Sequence, residues 1–146
     1  MNILVAIDLS NTSQKVLDKA ITLASALSAK VWLLHVTETG PEIGHLNLGP
    51  ETVRDQAAQE FNREHQDLQK KAETLQKAGV ETTPLLVQGA TVEIILKKSK
   101  ELNIDIIVMG SHGHGGVYHL IYGSVCEGVL QSSSCPILIV PVHDRA

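Results

Sequence analysis

The feature that most limits what this chain can become is an alternation of two kinds of segment. Short apolar runs of strand length are separated by longer stretches whose apolar residues recur at helical spacing. Asn2 to Asp8 reads as a strand buried on both faces and ending in a carboxylate. Val31–Val36, Glu81–Gln88, Ile104–Met109 and Pro136–Pro141 read as four more. Pro84 in the third of these points to a sheet edge, because proline cannot donate to a ladder. A first helix follows the cap residues Ser10, Asn11, Thr12 and Ser13, carries Val16, Leu17, Ala20, Leu23, Ala24 and Leu27 inward, and ends near Ser28. A long helix runs from Glu51 to Ala78, with Val53, Ala57, Phe61, His65, Leu68, Ala72 and Leu75 on one stripe and Gly79 as its stop. Two shorter helices cover Thr91–Leu102 and Ser124–Gln131. Strands alternating with helices imply parallel pairing, right-handed crossovers and helices on both faces of the sheet. The fold class is therefore α/β, a Rossmann-like open five-stranded parallel sheet, for which the common strand order is 3-2-1-4-5.

At 146 residues the chain is expected to form one domain over 1–146. A net charge of −4 with no Lys/Arg cluster argues against a nucleic-acid partner. Trp32, Phe61, Tyr118 and Tyr122 are too few for a base-stacking surface. No apolar run is long enough for a membrane span, and the start at Met1-Asn-Ile-Leu-Val lacks the pattern of a signal peptide, so a cytoplasmic location is expected. Cys126 and Cys135 stand in no metal-ligand spacing and read as reduced small hydrophobes. Thr37 to Pro50, with Gly40-Pro41, Gly44 and Gly49-Pro50, reads as a long loop of the kind that carries function.

The stretch with most chemical content is Met109–Val125, which holds Gly110, Gly113, Gly115, Gly116 and Gly123. A buried strand running into a glycine-rich loop and then a helix start suits phosphate. Glycine lets the backbone approach the anion, and the N–H groups of the loop and first helical turn act as donors. In open α/β sheets ligands bind beyond the carboxyl ends of the strands where the winding reverses, which here lies between strands 1 and 4. Asp8 and Met109-Gly110 end those two strands, so both face one crevice.

The spacing Gly110-x2-Gly113-x9-Gly123-Ser124 resembles the signature of the ATP-binding branch of the universal stress protein family. The resemblance extends over essentially the whole chain, through the opening I-L-V-A-I-D, His35-Val36, V-M-G-S-H-G and the closing C-P-I-L-I-V-P. It implies a dimeric regulatory protein that binds ATP, or ADP or AMP, with Mg²⁺ as an optional companion. Asp8 and Ile7 would frame the adenine pocket, with Val36 meeting the base through its backbone and Met109 lining the same slot. Gly110, Gly113 and Gly123 would close on ribose and phosphates. Ser111, His112, Gly113, His114 and Gly115 would supply donors, and Ser124 and Val125 would cap the phosphate chain.

Each residue also has a plain structural role open to it. Ser124-Val-Cys-Glu127 is a capping box, Asp8 can cap the first helix, and Val36 and Met109 would be core residues in any α/β protein. His112 and His114 lack a third ligand at metal spacing, so no protein side chain is assigned to a metal. Many relatives carry Lys or Arg between Gly113 and Gly123; this chain does not, leaving backbone dipoles and histidines to balance phosphate charge.

The alternatives are a slow ATP-hydrolysing enzyme on the same fold and an interaction module without ligand. Asp8 to Ser13 lacks the glycine loop that related hydrolases and flavodoxins place after strand 1, no Walker A lysine is present, and no catalytic residue is assigned. In the assumed order strand 5 is an apolar edge, and Ile137, Leu138, Ile139 and Val140 are expected to pair with a second copy in a homodimer. A client protein is expected but not identified by these residues.

Overall fold

The computed structural model describes residues 1–37, 51–111 and 124–142. Within them β1 (Asn2–Ala6), α1 (Ser13–Leu27), β2 (Lys30–Thr37), α2 (Glu51–Lys77), β3 (Thr82–Gln88), α3 (Thr91–Glu101), β4 (Ile106–Gly110), α4 (Ser124–Ser132) and β5 (Ile137–Val140) follow one another. The five strands form one parallel sheet in the order β3-β2-β1-β4-β5. This is the expected α/β Rossmann-like architecture, with Pro84 on edge strand β3, where a missing donor is tolerated.

Alternate residues of the central strands serve two separate cores. Ile3 and Val5 of β1 and Val31 and Leu33 of β2 pack with Val16, Leu17 and Ala20 of α1 and Leu68, Ala72 and Leu75 of α2. Leu4, Leu34, Ile107 and Met109 face the other way, onto Ile95 of α3 and Cys126 and Val129 of α4. Each fully buried Leu or Ile contributes roughly 1.5–3 kcal/mol, so the continuous apolar runs of the middle strands are what a two-faced sheet requires. The α3–α4 contact is close at Gly128, where a Cβ would lie 3.0 Å from Val92 Cγ2 and the valine would have to give way.

Boundaries differ from the sequence reading where local bonds intervene. β1 stops at Ala6, because the chain turns sharply after Ile7. β4 begins at Ile106 and runs through Gly110, Ile104 being buried ahead of it while the Asp105 N–H donates to the Asn2 carbonyl. On α2, His65 does not join the buried stripe but is exposed. Leu68, Ala72 and Leu75 are buried, and the half-buried flank beside them is the one carrying Glu64, Asp67 and Lys71. No helix among the described residues is long and apolar enough to cross a membrane.

Candidate functional site

The carboxyl end of the sheet is where the two middle strands part. β1 and β4 stay in register up to Ala6 opposite Met109. Beyond that rung no Asp8 N–H bond to the Gly110 carbonyl continues the ladder among the described residues; that carbonyl accepts from Cys126 Sγ instead. The Ile7 N–H donates to the Leu34 carbonyl of β2 at 3.0 Å, and the Ser111 N–H donates to the Val140 carbonyl of β5 at 2.9 Å. The Val142 N–H then donates to Ser111 Oγ at 3.3 Å, drawing the end of β4 further toward β5. The strand order reverses between β1 and β4, so this divergence lies at the topological switch point, where open α/β sheets take their ligands.

Asp8 stands at the mouth of the divergence. Its Oδ1 accepts from the Ser10 N–H at 3.0 Å and from Ser10 Oγ at 2.6 Å, and Ser10 Oγ lies 2.7 Å from Thr12 Oγ1. This is an Asx-type turn rather than a helix cap: the N-cap of α1 is Thr12, which makes no side-chain cap bond. The turn holds Leu9 at φ 61, a left-handed conformation that costs a leucine about 1–2 kcal/mol. The Leu9 side chain packs against the α1/α2 core, which helps hold it there. The other carboxylate oxygen, Asp8 Oδ2, is buried without a hydrogen-bond partner among the described residues. A buried acceptor left unpaired costs stability, so its persistence at this position calls for an explanation beyond the fold.

The remaining site residues are placed as follows. Ile7 is buried and Val36 half-buried at the ends of the β1 and β2 lines. Met109 is buried in the α3/α4 core. Gly110 closes β4, and its carbonyl accepts from Cys126 Sγ at 2.8 Å. Ser111 is buried with its N–H committed to Val140, so that amide is not available to a phosphate. Ser124 is exposed as the first residue of α4, and Val125 packs partly against the α3/α4 core. His112, Gly113, His114, Gly115 and Gly123 lie outside the described residues. Among the described residues no cluster of three or more His, Cys, Asp or Glu side chains could hold a metal.

Four further residues build this end of the molecule in roles that the sequence did not assign them. Ser10 and Thr12 form the Asp8 turn, and the D-x-S spacing of Asp8 and Ser10 is the signal that reveals such turns. Cys126 is more than a small hydrophobe: it ties α4 to the end of β4, and burial pushes its thiol up to about 11. Glu64, from the middle of α2, reaches to within 3.9 Å of His35.

These features define an open parallel α/β protein with polar groups gathered at the switch point of its sheet. Residues 1–141 match the universal stress protein family, to which the chain belongs. Universal stress protein YxiE of Bacillus subtilis is 34% identical over 142 residues, spanning 94% of this chain and 96% of the relative. The solved structure of MJ0577 superposes with a TM-score of 0.81 at 27% identity, covering 99% of this chain and 97% of that one. That protein is the universal stress protein MJ0577 of Methanocaldococcus jannaschii. A universal stress protein solved in complex with cAMP shares the fold with a TM-score of 0.71 at 22% identity, over 98% of both chains.

Proposed function

We propose that this protein binds an adenine nucleotide at the carboxyl ends of β1, β2 and β4 and acts as a dimeric stress-response regulator. ATP is the ligand we favour, with ADP or AMP as alternatives and Mg²⁺ as its companion. The observation that carries the reading is Asp8 Oδ2, a buried acceptor without a partner among the described residues, at the point where β1 and β4 part. An exocyclic amino group of a base is a donor that would satisfy it. Ile7, Val36 and Met109 would enclose the base; Gly110, Gly113, Gly115 and Gly123 would admit the ribose and phosphates. His112 and His114 would donate to the phosphates, and Ser124 and Val125 would meet them at the start of α4. The cAMP held by a relative of the same fold supports a ligand of this class. We further propose that residues 1–146 act as one domain.

The homodimer would form through β5, which lies at an edge of the sheet with Leu138 41% exposed. Ile137 and Ile139 are half-buried toward the α3/α4 core, so the dimer would add backbone pairing and Leu138 contacts to an existing layer. Sedimentation of Ile139→Asp should give monomer or aggregate, whereas an unchanged dimer would remove this part of the proposal.

The test of the site is calorimetric titration of nucleotide-stripped protein with Mg-ATP, with GTP as control and a Gly113→Val, Gly123→Val double variant alongside. Adenine-selective binding lost in the variant is expected. A folded protein that takes up no nucleotide would contradict the reading. Phosphate release measured in parallel separates a regulator from a slow ATPase.

A further inference from the structure

His35 does an unusual thing at the end of β2. In this parallel ladder the even-numbered residues of β2 aim their backbone groups at β1: the Lys30 N–H donates to the Met1 carbonyl, and the Leu34 carbonyl accepts from the Ile7 N–H. The odd-numbered residues aim at β3: the Val31 N–H donates to the Glu81 carbonyl, and the Thr37 carbonyl accepts from the Gly89 N–H. The next rung toward β1 would run from the Val36 N–H to the Ile7 carbonyl. Among the described residues that bond is not made. The Ile7 carbonyl accepts instead from the side chain of His35, whose Nδ1 lies 2.9 Å away. Facing a carbonyl, Nδ1 must be the protonated nitrogen.

The other side of the ring faces α2. His35 is only 8% exposed, and its Nε2 lies 3.9 Å from Glu64 Oε2, an oxygen buried without a hydrogen-bond partner among the described residues. The imidazole is thus bonded to a backbone carbonyl on one side and lies near, without bonding, a carboxylate on the other. The consequence falls on Val36. Its N–H and C=O point toward the line of β1 just past the place where β1 has ended, as an adjacent donor and acceptor with no rung among the described residues to close them.

We infer that His35 is a positioning residue for the base end of the nucleotide site: by occupying the Ile7 carbonyl, its imidazole keeps the last β1–β2 rung open and leaves the Val36 backbone for the edge of a heteroaromatic base. This rests on the adenine-nucleotide reading above and adds the device that sets the site's geometry. A side chain substitutes for a strand bond, so the sheet stops one rung short. Without the Nδ1–H, the Ile7 carbonyl would lack a donor and would turn to the Val36 N–H, closing the rung that the ligand needs.

Two substitutions separate the ring nitrogens. His35→Asn retains a donor near the position of Nδ1, toward Ile7; His35→Gln retains one near Nε2, toward Glu64. Calorimetry with Mg-ATP should find His35→Asn within about threefold of wild type and His35→Gln weakened about tenfold, a loss near 1.4 kcal/mol. Thermal melting of both variants without nucleotide checks that each is folded. A purely structural histidine would lower the melting temperature of both while leaving their affinities alike, and that result overturns the inference. Hydrogen exchange of the Val36 amide in wild type does not depend on any variant folding. It should be fast in the stripped protein and slowed by Mg-ATP, and an amide already protected without nucleotide overturns the inference. Wild type that binds no adenine nucleotide brings down the reading of the site, and the base-end role with it. Binding by wild type with His35→Gln unaffected brings down the role of His35 alone.

Discussion

The two ends of the sheet are built to different specifications. At the amino end each strand start is closed onto its neighbour: Lys30 N–H to the Met1 carbonyl, Val31 N–H to Glu81, Asp105 N–H to Asn2 and Ile107 N–H to Pro136, all at 2.8–2.9 Å. Asn2 then seals this edge, its N–H donating to Asp105 Oδ2 at 2.7 Å and its side-chain amide to the Leu102 and Asn103 carbonyls. At the carboxyl end β1 and β4 separate, a histidine stands in for a rung, and one oxygen of Asp8 is left without a partner among the described residues. Even the left-handed residues differ. The amino end uses Ser28 at φ 50 and Asn103 at φ 52, both closing helices ahead of a strand, while the carboxyl end holds the bulkier Leu9 at φ 61. The strand starts at one end close their backbone groups, although Trp32 Nε1 in β2 is also buried without a partner among the described residues. The other end adds a carboxylate oxygen, equally unpaired among those residues, beside the parting of β1 and β4, as expected when unmet polarity serves a ligand.

Substitutions should therefore separate stability from binding according to the end they touch. The largest effect on stability is expected in the core: Leu4→Ala, at a side chain with no exposure, should cost about 3 kcal/mol in urea unfolding. It should leave the nucleotide affinity of the folded protein unchanged. A large loss of affinity would show that the site is not insulated from the amino half of β1.

Next is Cys126, at the carboxyl end. Its thiol is raised from 9.0 to about 11 by burial, so the folded state holds the proton more tightly than the unfolded chain. The stabilisation is complete below pH 9.0 and is lost as pH rises toward 11. Between those limits wild type should lose on the order of 2–3 kcal/mol relative to Cys126→Ala. Parallel stability curves for the two proteins would mean that the thiol is not protected. A smaller effect, about 1–2 kcal/mol, is expected for Asn2→Ala, which breaks the seal at the amino end. Nucleotide affinity should not move.

The smallest change in stability belongs to Asp8→Asn. The new amide can keep the Oδ1 acceptor for Ser10 and replaces the unpaired oxygen with a group of similar shape, so unfolding should shift by less than about 1 kcal/mol. Affinity for ATP should nonetheless fall about tenfold, because an acceptor facing the ligand has become a donor. Equal affinity in the two proteins would take Asp8 out of the site.

Much of this architecture was legible in the sequence, for a physical reason. Strands buried on both faces must be apolar throughout, so Ile3–Ile7 and Ile106–Met109 announce themselves, and the helices between them fix parallel pairing. The switch point followed from the strand order, and with it the placement of Asp8 beside the end of β4. What pattern could not supply was the partnering of individual atoms. Cys126 looked like any small hydrophobe because its bond to the Gly110 carbonyl spans an interval set by the fold. Glu64 and His65 are neighbours on the rim of one helical stripe, and only the lie of α2 against β2 decides that the glutamate, not the histidine, turns inward. The Ile7 carbonyl, just past the end of β1, bonds a side chain of β2, which no reading of β1 alone contains.

The contrast between the two ends can be tested in one titration. Backbone amide shifts of isotope-labelled, nucleotide-stripped protein would be followed as Mg-ATP is added to saturation. The amides of Asp8, Val36, Gly110 and Ser124 should move together along one binding curve while those of Asn2, Lys30 and Glu81 stay fixed. Shifts centred on the amino end, or none at either end, would contradict a nucleotide site at the point where β1 and β4 part.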